Sequence, residues 1–258
     1  MHSLKFIDLN ILSNRKSISN SKTIIFLYGL GCCSEDFSFI LKFKRINWQL
    51  LIPELPGHNN SFYPENMTLE KFAKQISLLI KKKGFKDVIF FAHSVGGIIP
   101  ILIANHSIMK NLSKKKFINY EGNLTSFDTI TITKKTASYD KLEFKKKFEN
   151  LIKICENSKS CSLRMWSKSL KKTNVNAFYK ISKEAVFFSN SHKLLYRFRG
   201  GFKKKIYLSG SNTNFYFSEL FFGTIRYKIK NCGHFSFFEN SYEFLKNFSK
   251  LIYGRILN

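Results

Sequence analysis

Residues 87–100 read DVIFFAHSVGGIIP, so a single serine, Ser94, separates a strand-like apolar run from a helix-like one. Small residues stand on both sides of it: Ala92 two places before, Gly96 two places after, then Gly97. A strand that ends in small-x-Ser-x-Gly and runs directly into a helix can hold the serine on a sharp, strained turn that lifts its hydroxyl above a sheet. A larger side chain two residues away on either side would strike the neighbouring strand or helix. The same turn aims the free N–H groups and positive end of the helix at whatever the hydroxyl attacks. A serine hydroxyl is a weak nucleophile until a base takes its proton. A buried strand–helix junction that happens to contain a serine would have the same pattern.

The elements that must position this serine alternate in type. Leu4–Leu12 reads as a weak strand or the start of a hairpin. Thr23–Tyr28, Trp48–Ile52, Val88–Phe91, Lys116–Tyr120, Lys205–Leu208 and Thr224–Ile229 read as further strands. Thr68 precedes a helical pattern in which Leu69, Phe72, Ile76, Leu79 and Ile80 share one face, Lys81–Lys83 charge the last turn and Gly84 stops it. Val95–Ala104 and Tyr242–Tyr253 read as helices, and Pro100, about six residues into the first of these, is expected to kink it. The alternation predicts an α/β protein with a mostly parallel central sheet and helices on both faces. After Glu121 the rhythm stops, and residues 139–190 are basic, helical in pattern and poor in glycine and proline. One domain is expected, with its core in residues 1–121 and 201–258 and a helical cap inserted at 122–200.

A chain of 258 residues, 44% of them hydrophobic, can bury a full core. No stretch reaches the roughly 18–20 apolar residues of a membrane helix. No run near Met1 reads as a signal peptide, because charged and polar residues break it. Five cysteines are an odd number at spacings that suit no metal site, so a reducing, cytoplasmic setting is expected, with no metal or organic cofactor. The net charge of +26 admits nucleic acid, a membrane surface or an acidic protein as partner. However, 36 of the 43 basic residues are lysine, and Phe, Ile and Asn are also abundant. A/T-rich codons alone would give that composition, and nucleic acid is not the expected partner. The charge is concentrated in residues 125–205, where 20 Lys and Arg face 6 Asp and Glu.

Four segments together resemble the α/β-hydrolase family over roughly residues 20–255. AHSVGG (92–97) is similar to its nucleophile elbow. YGLG (28–31) is similar to its oxyanion loop, with Tyr28 for the usual histidine. PELPGHNNS (53–61) resembles its Asp-x-Pro-Gly-His-Gly-x-Ser segment, with Glu54 for Asp and Asn59 for Gly. NCGHFSFFENSYEFL (231–245) resembles the segment that carries its catalytic histidine. The resemblance implies Ser94 as nucleophile, His234 as base, and the backbone N–H groups of Leu30 and Val95 as the oxyanion hole. Tyr28 is a candidate substrate contact. His93 is expected to point away from the site, and His58 to pack the loop after its strand.

The acid departs from the family pattern. The region after the post-cap strand, Tyr207–Phe217, contains no acid, and Asn212, Thr213 and Asn214 occupy the relevant positions. Some family members carry the acid at the end of the strand before the cap, where this chain has Glu121. Glu121 is therefore the expected acid, Asp128 the alternative, and a degenerate site with Asn212 the remaining case.

A serine at the elbow argues against epoxide or halide chemistry, which the family performs with aspartate. The expected reaction is acyl transfer from a small-molecule ester or thioester. A narrower alternative is an ester carried by an acidic acyl carrier protein docked on the basic cap, as in biotin-precursor methyl-ester esterases. A third is a non-catalytic basic binding module on an eroded hydrolase fold. The cap aromatics (Tyr139, Phe144, Phe148, Trp166, Phe178, Tyr179, Phe187, Phe188) would either line an acyl pocket or pack the cap helices.

Overall fold

A computed structural model describes residues 1–42, 47–106, 112, 114–213 and 223–254. Its centre is an eight-stranded sheet in the order β1-β2-β4-β3-β5-β6-β7-β8. The strands β1 (His2–Phe6) and β2 (Leu9–Ser13) form an antiparallel hairpin, and β2 lies antiparallel to β4 (Gln49–Pro53). From β4 onward, β3 (Thr23–Leu27), β5 (Asp87–His93), β6 (Lys114–Tyr120), β7 (Lys204–Gly210) and β8 (Ile225–Ile229) run parallel. The central strands are unbroken apolar runs because both of their faces are covered: Ile24–Leu27, Leu50–Ile52 and Val88–Ala92 are all buried.

The two helical layers can be assigned from consecutive residues of β5, whose side chains alternate between faces. Phe91 meets Phe244 and Phe248 of the last helix, while Phe90 meets Phe202 on the opposite side. The helices α1 (Ser38–Leu41), α2 (Leu69–Lys82) and α3 (Ile98–Ala104) follow β3, β4 and β5 in turn. Thr68 caps α2 by accepting from the Lys71 N–H, and Gly84 takes a left-handed φ of +65° just past its end. The stretch expected as one helix from Val95 is a 3-10 turn, Ser94–Gly97, followed by α3. Pro100 is therefore in the first turn of α3, where a missing N–H costs little, rather than deep inside a helix.

Between β6 and β7 lie α4 (Ile132–Ser138), α5 (Lys141–Glu156), α6 (Cys161–Leu170), α7 (Val175–Asn190) and α8 (Lys193–Gly201). Three of these are capped by side chains: Asp140, Ser160 and Asn174 accept from N–H groups in the first turns of α5, α6 and α7. The aromatics of α5 and α7 pack on each other: Phe178 lies between Phe144 (5.8 Å) and Phe148 (5.1 Å), and Tyr179 stacks on Phe144. Phe198 of α8 packs instead on Phe117 of the sheet. The chain continues after β8 with α9 (Ser236–Glu239) and α10 (Ser241–Tyr253). Among the described residues no helix is long and apolar enough to cross a membrane.

Candidate active site

The site lies where β5, β6, β7 and β8 end, at the carboxyl edge of the sheet, the edge where open α/β sheets gather their ligands. Ser94 follows β5 directly and takes φ +53°, the left-handed region that a residue with a side chain enters only under constraint. The close packing expected around it is present. A Cβ on Gly96 would lie 2.5 Å from the Leu27 carbonyl oxygen and 2.6 Å from that of Tyr28, and a Cβ on Gly29 would lie 2.7 Å from the Ser94 Cβ. The loop carrying Leu30 thus passes directly beside the serine, and Val95 is the second residue of the turn that leads into α3.

Glu121 follows β6 directly and also takes a positive φ, +42°. Its backbone N–H continues the sheet by donating to the Leu208 carbonyl at 2.9 Å, and this strand pairing fixes the direction of its side chain. Every oxygen of the buried carboxylate is used. Oε1 accepts from the Gly210 N–H and the Thr213 hydroxyl, each at 2.7 Å, and Oε2 faces His234 Nδ1 at 2.7 Å. Burial alone would push this carboxyl up. The hydrogen bonds from His234, Thr213 and Gly210 and the pull of the imidazole outweigh it, and the pKa ends below its ordinary value. The carboxylate can only accept, so Nδ1 carries a proton, and in the neutral form of the ring the lone pair is on Nε2.

Asp128, the alternative acid, is committed elsewhere. Its Oδ2 accepts from the Leu124 N–H, the Thr125 N–H and the Thr125 hydroxyl, capping a short 3-10 turn, Ser126–Thr129. Asn212 donates its N–H to the Cys232 carbonyl and its side-chain oxygen accepts from Ser211; Asn214 lies outside the described residues. Thr213 was only one of three candidate positions in the sequence, and its contribution here is a hydroxyl that supports Glu121.

His93 does not point away from the site. It is buried, its ring lies 4.5 Å from the His234 ring, and its Nε2–H donates to the His234 carbonyl at 3.0 Å. The Tyr120 hydroxyl donates to the same carbonyl at 2.8 Å and accepts from the Ser236 N–H. The loop that carries His234 is thus held from β5 and from β6. Burial, together with the neighbouring His234, holds the His93 pKa well below its usual value, so the ring is neutral. The side chain of His234 itself is 40% exposed.

Tyr28 is buried, and its hydroxyl is occupied: it donates to Glu54 and accepts from the Leu55 N–H at 2.7 Å. Both roles of the Tyr28 hydroxyl are thus taken by protein groups, which counts against the expected substrate contact. The Glu54 carboxylate, 8% exposed and with no cation hydrogen-bonded to it among the described residues, also receives the Ser34 hydroxyl, the Ser34 N–H and the Asn59 amide. This network ties the loop after β3 to the loop after β4. His58 completes the tie. It is fully buried, accepts the Gly31 N–H on Nε2 at 3.0 Å, and burial pushes its pKa down to about 4.

No family model matches the chain. A protein of Mycoplasma genitalium bearing the name "Putative esterase/lipase 2" is 27% identical over 169 residues, covering 57% of this chain and 62% of that protein. The chain thus spans less than two thirds of the length of the curated relatives it matches. A structure from work on carboxylesterases of the thaumarchaeon Nitrososphaera gargenis superposes with a TM-score of 0.68 over 95% of each chain at 14% identity. An epoxide hydrolase, CorEH, superposes with a TM-score of 0.72 over 98% of each chain at 10% identity. At such identities the likeness is one of fold, and the fold is that of the α/β hydrolases.

Proposed function

We propose that this chain is a serine hydrolase that cleaves a carboxylic ester or thioester through an acyl-enzyme. The observation that carries the proposal is the 2.7 Å contact between Glu121 Oε2 and His234 Nδ1 at the sheet edge where Ser94 stands on its strained turn. In this reading the Ser94 Oγ attacks the substrate carbonyl carbon while its proton passes to His234 Nε2. The oxyanion that forms faces the N–H groups of Leu30 and Val95. Collapse expels the alcohol or thiol, which takes the proton from His234. Water, deprotonated by the same nitrogen, then releases the acid and frees Ser94. Glu121 stays ionised throughout, consistent with its lowered pKa, and stabilises the imidazolium. The bonding of Glu121 to His234 counts against a non-catalytic binding module, a reading motivated by the lack of an acid in Tyr207–Phe217.

Residues 122–200 are read as an insertion over this edge, with α4–α7 as the cap. The packing of Phe198 on Phe117 favours treating α8 as the helix that returns the chain to the sheet. Burial of Cys32, Cys33, Cys155 and Cys232 as thiols suits a reducing compartment such as the cytoplasm.

The test is labelling with a serine-directed fluorophosphonate. The wild type should react, Ser94→Ala should not, and His234→Ala and Glu121→Gln should react far more slowly. An unlabelled wild type would overturn the reading. The narrower reading, an acyl group delivered by an acidic carrier protein, is favoured by the exposed row Lys145–Lys147 on α5, which takes part in no ion pair among the described residues. It requires turnover of the carrier-bound ester to fall steeply with salt while turnover of the free ester does not.

A further inference from the structure

The loop that carries Leu30 is held by a side chain from outside the sheet domain. Trp166, on α6 of the insertion, is buried, and its indole Nε1–H donates to the Leu30 carbonyl at 3.2 Å. The N–H of the same peptide, on Gly31, donates to His58 Nε2 at 3.0 Å. On the other side of Leu30, the Gly29 carbonyl accepts the Cys32 N–H at 3.2 Å. Both peptides that flank the Leu30 α-carbon are thereby fixed, and a planar peptide fixed through its carbonyl also fixes the direction of its N–H.

The indole is not a casual neighbour. Gly31 has φ +72°, and a Cβ there would lie 2.6 Å from Leu170 Cδ2 and 2.8 Å from Trp166 Nε1, so α6 sits directly on the loop. The Trp166 ring also lies 5.6 Å from Phe235, the residue after His234. Further along α6, the Ser169 hydroxyl donates to the Asp36 carboxylate at 2.8 Å and holds the same segment from its far end.

We propose that Trp166 is a positioning residue for the oxyanion hole: it holds the Leu30–Gly31 peptide, the middle of the turn that the Cys32 N–H closes on the Gly29 carbonyl, and so keeps the adjoining Gly29–Leu30 peptide and its N–H in direction, which makes full activity depend on the insertion being seated. The proposal rests on the serine-hydrolase reading above. Trp166 touches no reacting atom in it. Its loss should lower the rate of the chemical step and leave ground-state binding nearly unchanged.

The test compares wild type, Trp166→Phe and Phe178→Leu on p-nitrophenyl butyrate. Phe178→Leu loosens the interior of the insertion without touching Leu30. Removing an oxyanion donor outright costs about 10²–10³-fold in kcat, so misdirecting one should cost roughly 10–100-fold. Trp166→Phe should lose that much kcat with KM within about twofold, and hydrogen–deuterium exchange should quicken in the peptide covering residues 28–33. Phe178→Leu should lower the melting temperature while kcat stays within about twofold. Turnover by Trp166→Phe within twofold of wild type overturns the proposal, as does loss by both variants in step with their melting temperatures. If the wild type lacks any turnover that Ser94→Ala abolishes, the serine-hydrolase reading falls and this proposal with it. If the wild type is active and Trp166→Phe equally so, only the role of Trp166 falls.

Discussion

Replacing Glu121 by glutamine changes one atom, and its effect follows from the hydrogen bonds around that atom. Oε1 accepts from a backbone N–H that cannot turn, that of Gly210, and from the Thr213 hydroxyl, while Oε2 accepts from His234 Nδ1. An amide must put its NH2 on one side or the other. Turned toward Gly210 it sets donor against donor in a buried position, where an unmet polar group costs about 1–3 kcal/mol. Turned toward His234 it keeps the Gly210 and Thr213 bonds but obliges Nδ1 to accept. The imidazole proton then moves to Nε2, the nitrogen that must take the proton of Ser94. A base held in the wrong tautomer loses roughly 10⁴-fold in kcat, or about 5 kcal/mol of transition-state stabilisation. The assay is kcat on a p-nitrophenyl ester, paired with thermal melting to establish that the variant is folded. A folded Glu121→Gln protein that turns over within about tenfold of wild type would refute the tautomer argument and the assignment of Glu121.

Gly96→Ala puts a methyl 2.5 Å from one backbone carbonyl oxygen and 2.6 Å from another. Overpacking of this kind costs about 1–3 kcal/mol, and a melting temperature equal to that of wild type would contradict it. Tyr28→Phe orphans the buried Leu55 N–H and takes a donor from Glu54, so urea unfolding should show a loss of about 2 kcal/mol with KM unchanged. A raised KM at unchanged stability would instead make Tyr28 a substrate contact.

The pH dependence of stability combines two opposed groups. His58, pushed down to about 4 by burial, makes the fold lose stability as pH falls from its unfolded value near 6.5, because the unfolded chain takes up the proton first. Asp36, pushed up to about 6 chiefly by burial, acts in the other sense: its contribution is full below its unfolded value near 3.8 and is lost as pH rises through 6. Between about pH 4 and 6 the two nearly cancel. Asp36→Asn removes one of them, so unfolding free energies from urea titrations at pH 7 to 4 should fall more steeply than those of wild type, by about 2 kcal/mol over that range. Parallel curves would show that Asp36 titrates normally.

The strands and helices were legible because a parallel sheet covered on both faces writes each central strand as a short apolar run bounded by glycine or proline. The turn at Ser94 was legible for a steric reason, since only small residues fit at 92 and 96. Glu121 was found through a family resemblance and not through any local pattern: one acid at a strand end carries no signal of its own. The supporting shell was not legible. Tyr28 and Glu54 are 26 residues apart on separate loops, and no periodicity links them. Trp166 reads as one more apolar residue on the inner face of α6, since composition does not tell an indole that packs from one that also donates. The placement of His93 was missed because the direction of a side chain beside a strained turn depends on that turn's dihedral angles, which the residue types do not specify.

The insertion rests in two sockets left by missing side chains. Besides Gly31, under Trp166 and Leu170, there is Gly57, where any Cβ would overlap that of Ala177 on α7. Each socket is in a loop that follows a strand of the sheet, while the group that fills it comes from the helices between β6 and β7. Transplanting residues 132–190 onto a related sheet would therefore succeed only where the recipient also has glycine at both places, and exchanging the sheet while keeping the helices meets the same condition from the other side.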